Sequence, residues 1–297
     1  MEGAGHVPVL PGAVVELLAP ATARVVVDCT IGLGGHAEAL LAAAGKETTL
    51  LGIDLDRSNL LKTKDRLARF GARVRLFEAN FADLPEVLAE AGTESADAIL
   101  ADLGVSSSQL DDPSRGFGFQ ADGPLDMRFG REGRSAADLV NTLGEAELAD
   151  LIRQWGEDRY GRRIARAIVR ARRRERIERT GQLARVVAGA VPPGSRRRRI
   201  HPATRSFQAL RIAVNREMDN LSALLARLPE SLAPGGRAGV IAFHSLEDRA
   251  VKRSFAAAVR AGTALSLTPK PRTPGLEEIR SNPRSRSAKF RVIERIG

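Results

Sequence analysis

Cysteine is nearly absent. Cys29 is the only one in 297 residues, which excludes an intrachain disulfide and points to a reducing, cytoplasmic compartment. Histidine is scarce as well: His6, His36, His201 and His244 show, with Cys29, no metal-ligand spacing, so no metal site is expected. Aromatic residues are 4% of the chain, with one Trp and one Tyr, so the core must come from Ala, Leu, Val and Ile, a mixture suited to helices packed on a parallel sheet. No long uncharged apolar run occurs, and no basic region followed by an apolar one opens the chain. Neither a membrane span nor a signal peptide is expected. What remains is a length and an apolar content adequate for one large or two modest folded domains.

Lysine is missing from one long stretch. Leu151 to Ser206 holds 17 Arg and no Lys against 4 acids, a net +13. Lys270 to the C-terminal residue adds 8 basic against 3 acidic residues, and since the whole chain carries +10, the remainder is net acidic. A solvated helix face mixes both signs. An excess of Arg this large fits contact with phosphate, which the guanidinium binds bidentately, and with bases, on which it stacks.

The first chemical motif is Asp28-Cys29-Thr30-Ile31-Gly32-Leu33-Gly34-Gly35-His36. A β-branched run, Val25 to Val27, precedes it and a helix-forming run, Ala37 to Ala44, follows. A strand that turns through glycines into a helix cradles a nucleotide-like ligand, because the backbone approaches closely and the helix start offers free N–H groups. Asp54 ends a second apolar strand, Leu50 to Ile53, about 20 residues on, where a carboxylate accepts from ribose hydroxyls. Two ligand classes compete. Gly32, Gly34 and Ala37 satisfy G-x-G-x-x-A, which fits a nicotinamide dinucleotide and an oxidoreductase. Asp28, just before the glycines, and Asp102, at the end of a fourth strand, favour the cationic S-adenosylmethionine over a pyrophosphate. A turn that binds nothing is the plain structural alternative.

Further on, Arg57 to Phe70 reads as a helix with Leu60, Leu61, Leu67 and Phe70 on its apolar side. Val74 to Phe77 reads as a strand, Asp83 with Glu86 as a capping box, and Ala98 to Leu103 as a strand. Gly104 to Arg134 has no period. Ser135 to about Gly189 is helical, with apolar stripes at Leu148, Leu151, Ile152 and Trp155 and at Tyr160, Ile164 and Ile168, read as core. Arg205 to Leu228 reads as one long helix, Leu232 to Gly236 as a turn, Arg237 to Phe243 as a strand and Leu246 to Ala261 as a helix. Thr268 to Ala288 reads as a mobile loop and Phe290 to Ile296 as a closing strand. The expected fold is α/β, a doubly wound, mostly parallel sheet with an inserted, basic helical domain. Residues 1–105 and 204–297 form the ligand-binding domain and 106–203 the insertion.

The segments His6-Val7-Pro8-Val9-Leu10, Asp28 to His36, Asp54-Leu55-Asp56, Asn80-Phe81, Asp102 to Asp111, Arg115-Gly116-Phe117-Gly118-Phe119, Gly123 to Arg128, Thr204 to Arg211, Phe243 to Arg249 and Asn282 to Ser287 follow one another in a characteristic order. On them the chain resembles the bacterial 16S ribosomal RNA cytosine-N4 methyltransferase family over nearly its whole length. The resemblance implies a Rossmann-like class I methyltransferase that uses S-adenosylmethionine. Its substrate is the exocyclic amine of one cytosine in the decoding region of the small ribosomal subunit. It implies cofactor contacts at Gly34, Gly35, His36, Asp54, Phe81, Asp102 and Gln109. The usual D/N-P-P-Y/F segment of amino-methylating enzymes is replaced here by Asp102-Leu103-Gly104-Val105, so an aromatic platform must come from elsewhere, with Phe117 and Phe119 as candidates against ordinary loop packing.

Asp102 is the one candidate catalytic acceptor for the amine, with cofactor positioning as its alternative. His36 reads as a backbone contact, and His244 with Glu247 and Asp248 as a substrate-side group or a helix cap at Ser245. The RNA is expected to meet Arg196, Arg197, Arg198 and Arg199 in the insertion and the 270–288 segment. No metal or membrane is expected to take part, and the protein is expected as a monomer or homodimer. A non-enzymatic ribosome-assembly factor is the remaining alternative.

Overall fold

Short apolar, β-branched segments punctuated by Gly, Asn and Asp dictate a sheet whose strands alternate with helices. The computed structural model describes residues 7–130, 132–192 and 201–297. The chain divides into two compact units, residues 1–104 with 219–297, and residues 105–218.

The first unit is built on seven strands: β1 Val25–Asp28, β2 Thr49–Asp54, β3 Val74–Glu78, β4 Ala96–Asp102, β5 Leu232–Ala242, β6 Ala264–Ser266 and β7 Lys289–Arg295. Their spatial order is β3-β2-β1-β4-β5-β7-β6. β1 pairs in parallel with both β2 (Val26 with Leu50) and β4 (Val27 with Ile99), while β7 runs antiparallel to β5 and β6. The strand order reverses at β1 and β4, the switch point where open sheets bind ligands outside their carboxyl ends. This is the expected doubly wound sheet. Its core packs Val26, Leu40, Leu41, Leu50, Leu100 and Phe290, all almost fully buried.

Several local expectations change. An unforeseen helix, Pro11–Leu18, opens the unit and buries Val14 and Leu18. The helix after β2 stops at Arg66 and a 3-10 stretch, Ala68–Arg73, follows; Leu67 is buried but Leu61 is exposed, so Leu61 is not part of the apolar face. Asp83 makes no side-chain cap for the helix Leu84–Glu90; Asn80 caps the 3-10 turn before it, accepting from the Ala82 amide. Leu232 to Gly236 is not a turn but part of β5, whose register against β4 shifts by three residues between Ala96 and Ala98, an irregularity that takes up residues within 233–236. Thr268 to Ala288 is not a loop throughout. It carries a helix, Leu276–Ser281, and a 3-10 turn, Pro283–Ser287.

The second unit is helical: Ser107–Asp111, Ala136–Thr142, Glu145–Gly156, Gly161–Arg172, Thr180–Ala190 and Thr204–Asn215. Ser135 starts one of these with a capping box to Asp138. The core holds Leu148, Ile152, Ile164, Ile168, Leu183 and Phe207 from the predicted stripes and their neighbours, whereas Trp155 stays half-buried. The long helix expected over 205–228 is two, Thr204–Asn215 and Glu217–Ser231, parted at Arg216 in the left-handed region (φ 50°). Asn215 donates to the Met127 and Arg211 carbonyls, and Arg211 holds Glu217 with two hydrogen bonds of 2.7 and 2.8 Å, which fixes the break. Thr204–Asn215 therefore belongs to the second unit, not to the ligand-binding part in which the sequence had placed it.

Candidate active site

Parallel pairing of β1, β2 and β4 sets three carboxylates on one edge, because Asp28, Asp54 and Asp102 are each the last residue of their strand. The glycine turn lies directly beyond β1. Gly34 has φ +77°, a conformation glycine adopts freely, and a Cβ added there would press on Thr63 Cγ2 at 3.0 Å. Thr63 Oγ1 donates to the Gly32 carbonyl at 2.6 Å and Arg66 reaches the Leu33 carbonyl, so the helix after β2 holds the turn in place.

Asp54 accepts three hydrogen bonds: Oδ2 from the Gly32 amide (3.0 Å) and Asn59 Nδ2 (3.1 Å), and Oδ1 from the Asp56 amide (2.7 Å). Burial pushes its carboxyl up to about 6 against the pull of those donors. Asp28 is buried and accepts from the Thr30 amide; burial outweighs the nearby His36 and pushes its carboxyl up to about 7. Thr30 Oγ1 in turn accepts from the Asp102 amide at 2.6 Å, which ties β1 to β4 at the edge.

His36, in the first turn of the helix Gly35–Ala43, is 5% exposed, and its Nε2 lies 3.3 Å from Asp102 Oδ2. Burial pulls its pKa down, but the contact with Asp102 and the charges of Asp102, Asp28 and Glu278 prevail and the net shift is upward. Among the described residues neither ring nitrogen reaches hydrogen-bond geometry, and Asp102 Oδ1 is buried with no partner. The His36 side chain is thus part of the acidic edge, where the sequence pointed only to its backbone.

Gly34, Gly35, His36, Asp54 and Asp102 are brought together in the first unit. Phe81, half-buried, opens a 3-10 turn three residues beyond β3 on the same edge of the sheet. Gln109 belongs to the second unit, where it is buried and closes a capping box with Ser106. Phe117 is buried in that unit's core, stacked on Phe129 at 5.4 Å, and Phe119 packs edge-on against Phe207 at 4.7 Å, so both rings serve packing. His244, rather than Ser245, caps the helix Ser245–Arg260: its Nδ1 accepts from the Glu247 amide while the Glu247 carboxylate accepts from the Phe243 and His244 amides. Arg196 to Arg199 lie outside the described residues. Asn59, Thr30 and Thr63 are the residues that sequence reasoning missed, since each reads as an ordinary polar residue near a turn.

A doubly wound sheet with a glycine turn and three strand-end acids at its switch point defines a Rossmann-like class I methyltransferase fold. Residues 3–296 match the MraW methylase family, and the chain belongs to that family. The chain is 50% identical over 310 residues to a Solidesulfovibrio magneticus protein named ribosomal RNA small subunit methyltransferase H, covering 98% of this chain and 95% of that one. A Geobacter sp. (strain M21) protein of the same name is 47% identical over 312 residues, the full length of both. Among solved structures, an rRNA methylase from Streptococcus thermophilus is similar at 11% identity, with a TM-score of 0.44 over 97% of this chain and 94% of that one.

Proposed function

We propose that the chain transfers a methyl group from S-adenosylmethionine to the N4 amine of one cytosine in the decoding region of 16S ribosomal RNA, on the small ribosomal subunit. It works in the cytoplasm as a monomer or homodimer. The observation that carries this reading is the acid at the end of each of three strands at the switch point. Burial pushes the Asp28 and Asp54 carboxyls up, which disfavours their ionised form at this edge. An ammonium and a sulfonium would restore it, whereas a dinucleotide pyrophosphate would be repelled. The donor set therefore fits S-adenosylmethionine and disfavours the oxidoreductase alternative.

Gly34, Gly35, His36, Asp54, Phe81, Asp102 and Gln109 are the residues proposed to hold the cofactor. Bound there, it supplies an electrophilic methyl on sulfur. Asp54 keeps one of its roughly four lone-pair directions for a ribose hydroxyl after its three hydrogen bonds. Asp28 faces the cationic end. The cytosine amine is a weak nucleophile because its lone pair is delocalised into the ring, so orientation must supply much of the acceleration. Asp102 Oδ1, buried and without a hydrogen-bond partner among the described residues, is the proposed acceptor for an amine N–H, while His36 Nε2 lies 3.3 Å from the other oxygen. The target base must leave any stack before it reacts. Arg196 to Arg199 and residues 270–288 are proposed to grip the RNA backbone.

The test is mass spectrometry of 16S ribosomal RNA from subunits lacking the modification, incubated with the protein and S-adenosylmethionine. One cytosine gains a methyl group. Unchanged RNA overturns the reading and leaves the assembly-factor alternative.

A further inference from the structure

A shallow groove of about 430 Å³ in the second unit has no part in the roles assigned above. One wall is Ala167, Arg170, Ala171 and Arg174, a set spaced along one face of Gly161–Arg172 and its end. The opposite wall is Gln182, Arg185, Val186, Gly189 and Ala190, one face of Thr180–Ala190. Ile177, 3% exposed, closes the floor. Three arginines thus line a small-residue apolar surface, Arg185 with the Asp122 carboxylate also nearby, and no acid occurs from Gly161 to Arg174. Arg170 and Arg174 enter no ion pair or side-chain hydrogen bond among the described residues.

Gly189 adds an independent observation. Glycine inside a helix costs roughly 0.5–1 kcal/mol relative to alanine. A Cβ added at Gly189 would meet nothing within 4 Å among the described residues, so their packing does not demand glycine there. Its effect is to keep the wall of the groove open.

We infer that this groove is an RNA-binding site that seats a single-stranded segment of the substrate RNA. Phosphates lie on Arg170, Arg174 and Arg185, and a base or ribose lies flat on Ala167, Ala171 and Val186. The inference rests on the ribosomal RNA reading above. A duplex hides its base faces and has no use for an apolar floor. A free phosphate is a poor fit, because Glu175, which accepts from Gln182 Nε2 at 3.2 Å, lines the same groove. A strand can set its phosphates along the arginines and turn an exocyclic amine toward that carboxylate. Arginine, planar and weakly hydrated, suits both phosphate and base contacts better than lysine.

The test uses the full chain and a labelled single-stranded RNA of about 12 nucleotides, within the usual range for a single-strand binding site. Anisotropy is read at several salt concentrations, against a duplex of equal length and with inorganic phosphate as competitor. The double variant R170Q/R174Q should weaken single-strand binding about tenfold at physiological salt and flatten the log–log salt slope by about 1.4, or ~0.7 per neutralised phosphate. The variant Gly189→Leu, which fills the groove at constant charge, should weaken it at least about fivefold, the equivalent of unstacking one base. Circular dichroism melts confirm that both variants are folded. If both bind single strands as the unaltered chain does, while that chain still methylates small subunits, the groove is not the seat and only this inference falls. Equal competition by millimolar phosphate, or preference for the duplex, also overturns it. Failure of the unaltered chain to modify small subunits instead removes the functional reading on which it rests.

Discussion

Asp28 and Asp54 are the residues at which folding works against ionisation. Each has a folded pKa raised above its unfolded value, to about 7 and about 6. The folded chain therefore binds protons more tightly than the unfolded one between about pH 4 and those values, and stability from this source falls as pH rises through that window. Replacing Asp28 by Asn keeps an acceptor for the Thr30 amide and removes the titration. The variant should gain little over the natural chain at pH 4 and progressively more up to pH 7, read from urea midpoints, while its affinity for S-adenosylmethionine drops. Equal pH profiles would contradict the assignment. Replacing Asp54 by Ala should abolish cofactor binding in calorimetry, and retention of normal affinity would count against the pocket. Asp28, Asp54, Asp102 and the glycines were legible because strand-end acids and glycine turns have few structural alternatives. The roles of Thr63 and Thr30 were not, since they depend on β2 and β4 lying beside β1, which no local pattern encodes.

Among the elements, strands were easier to read than the ends of helices. Parallel strands buried on both faces are continuous apolar runs, and four of the first five were found within a few residues. The break at Arg216 escaped detection because the apolar period runs on through it and no Gly or Pro marks it. The cap at His244 was placed one residue late because serine is the stronger cap by composition. The three-residue β6 was missed because an edge strand so short has no period. Arg216 gives an element-level prediction. Its φ of 50° at a helix end favours glycine, so Arg216→Gly should stabilise the protein by up to about 1 kcal/mol, seen as a higher urea midpoint. A lower midpoint would mean that the Arg216 side chain contributes more than its backbone strain removes.

For the whole molecule, charge asymmetry was the plainest signal in the sequence. The second unit carries the arginine-rich stretch, and the first the acidic edge. Replacing Arg196 to Arg199 by Ala should weaken RNA binding and flatten its salt dependence, by roughly 0.7 in slope for each phosphate no longer neutralised. An unchanged slope would reject the role. The boundary of the second unit was misjudged because a helix that looked continuous straddled it.

β4 ends at Asp102, yet its partner strand β5 begins only at Leu232. A ribosome adding about 5–20 residues per second leaves that hydrogen-bonding edge without its neighbour for on the order of ten seconds. Throughout that interval the nascent half-sheet offers an apolar, unpaired border to whatever else is in the crowded cell, the kind of border that recruits foreign strands. A fragment ending at Gly104 should accordingly sediment as aggregates when expressed alone, whereas the full chain stays dispersed. Synthesis of this protein therefore contains a vulnerable pause, set by connectivity rather than by any single side chain, during which a chaperone would be most useful.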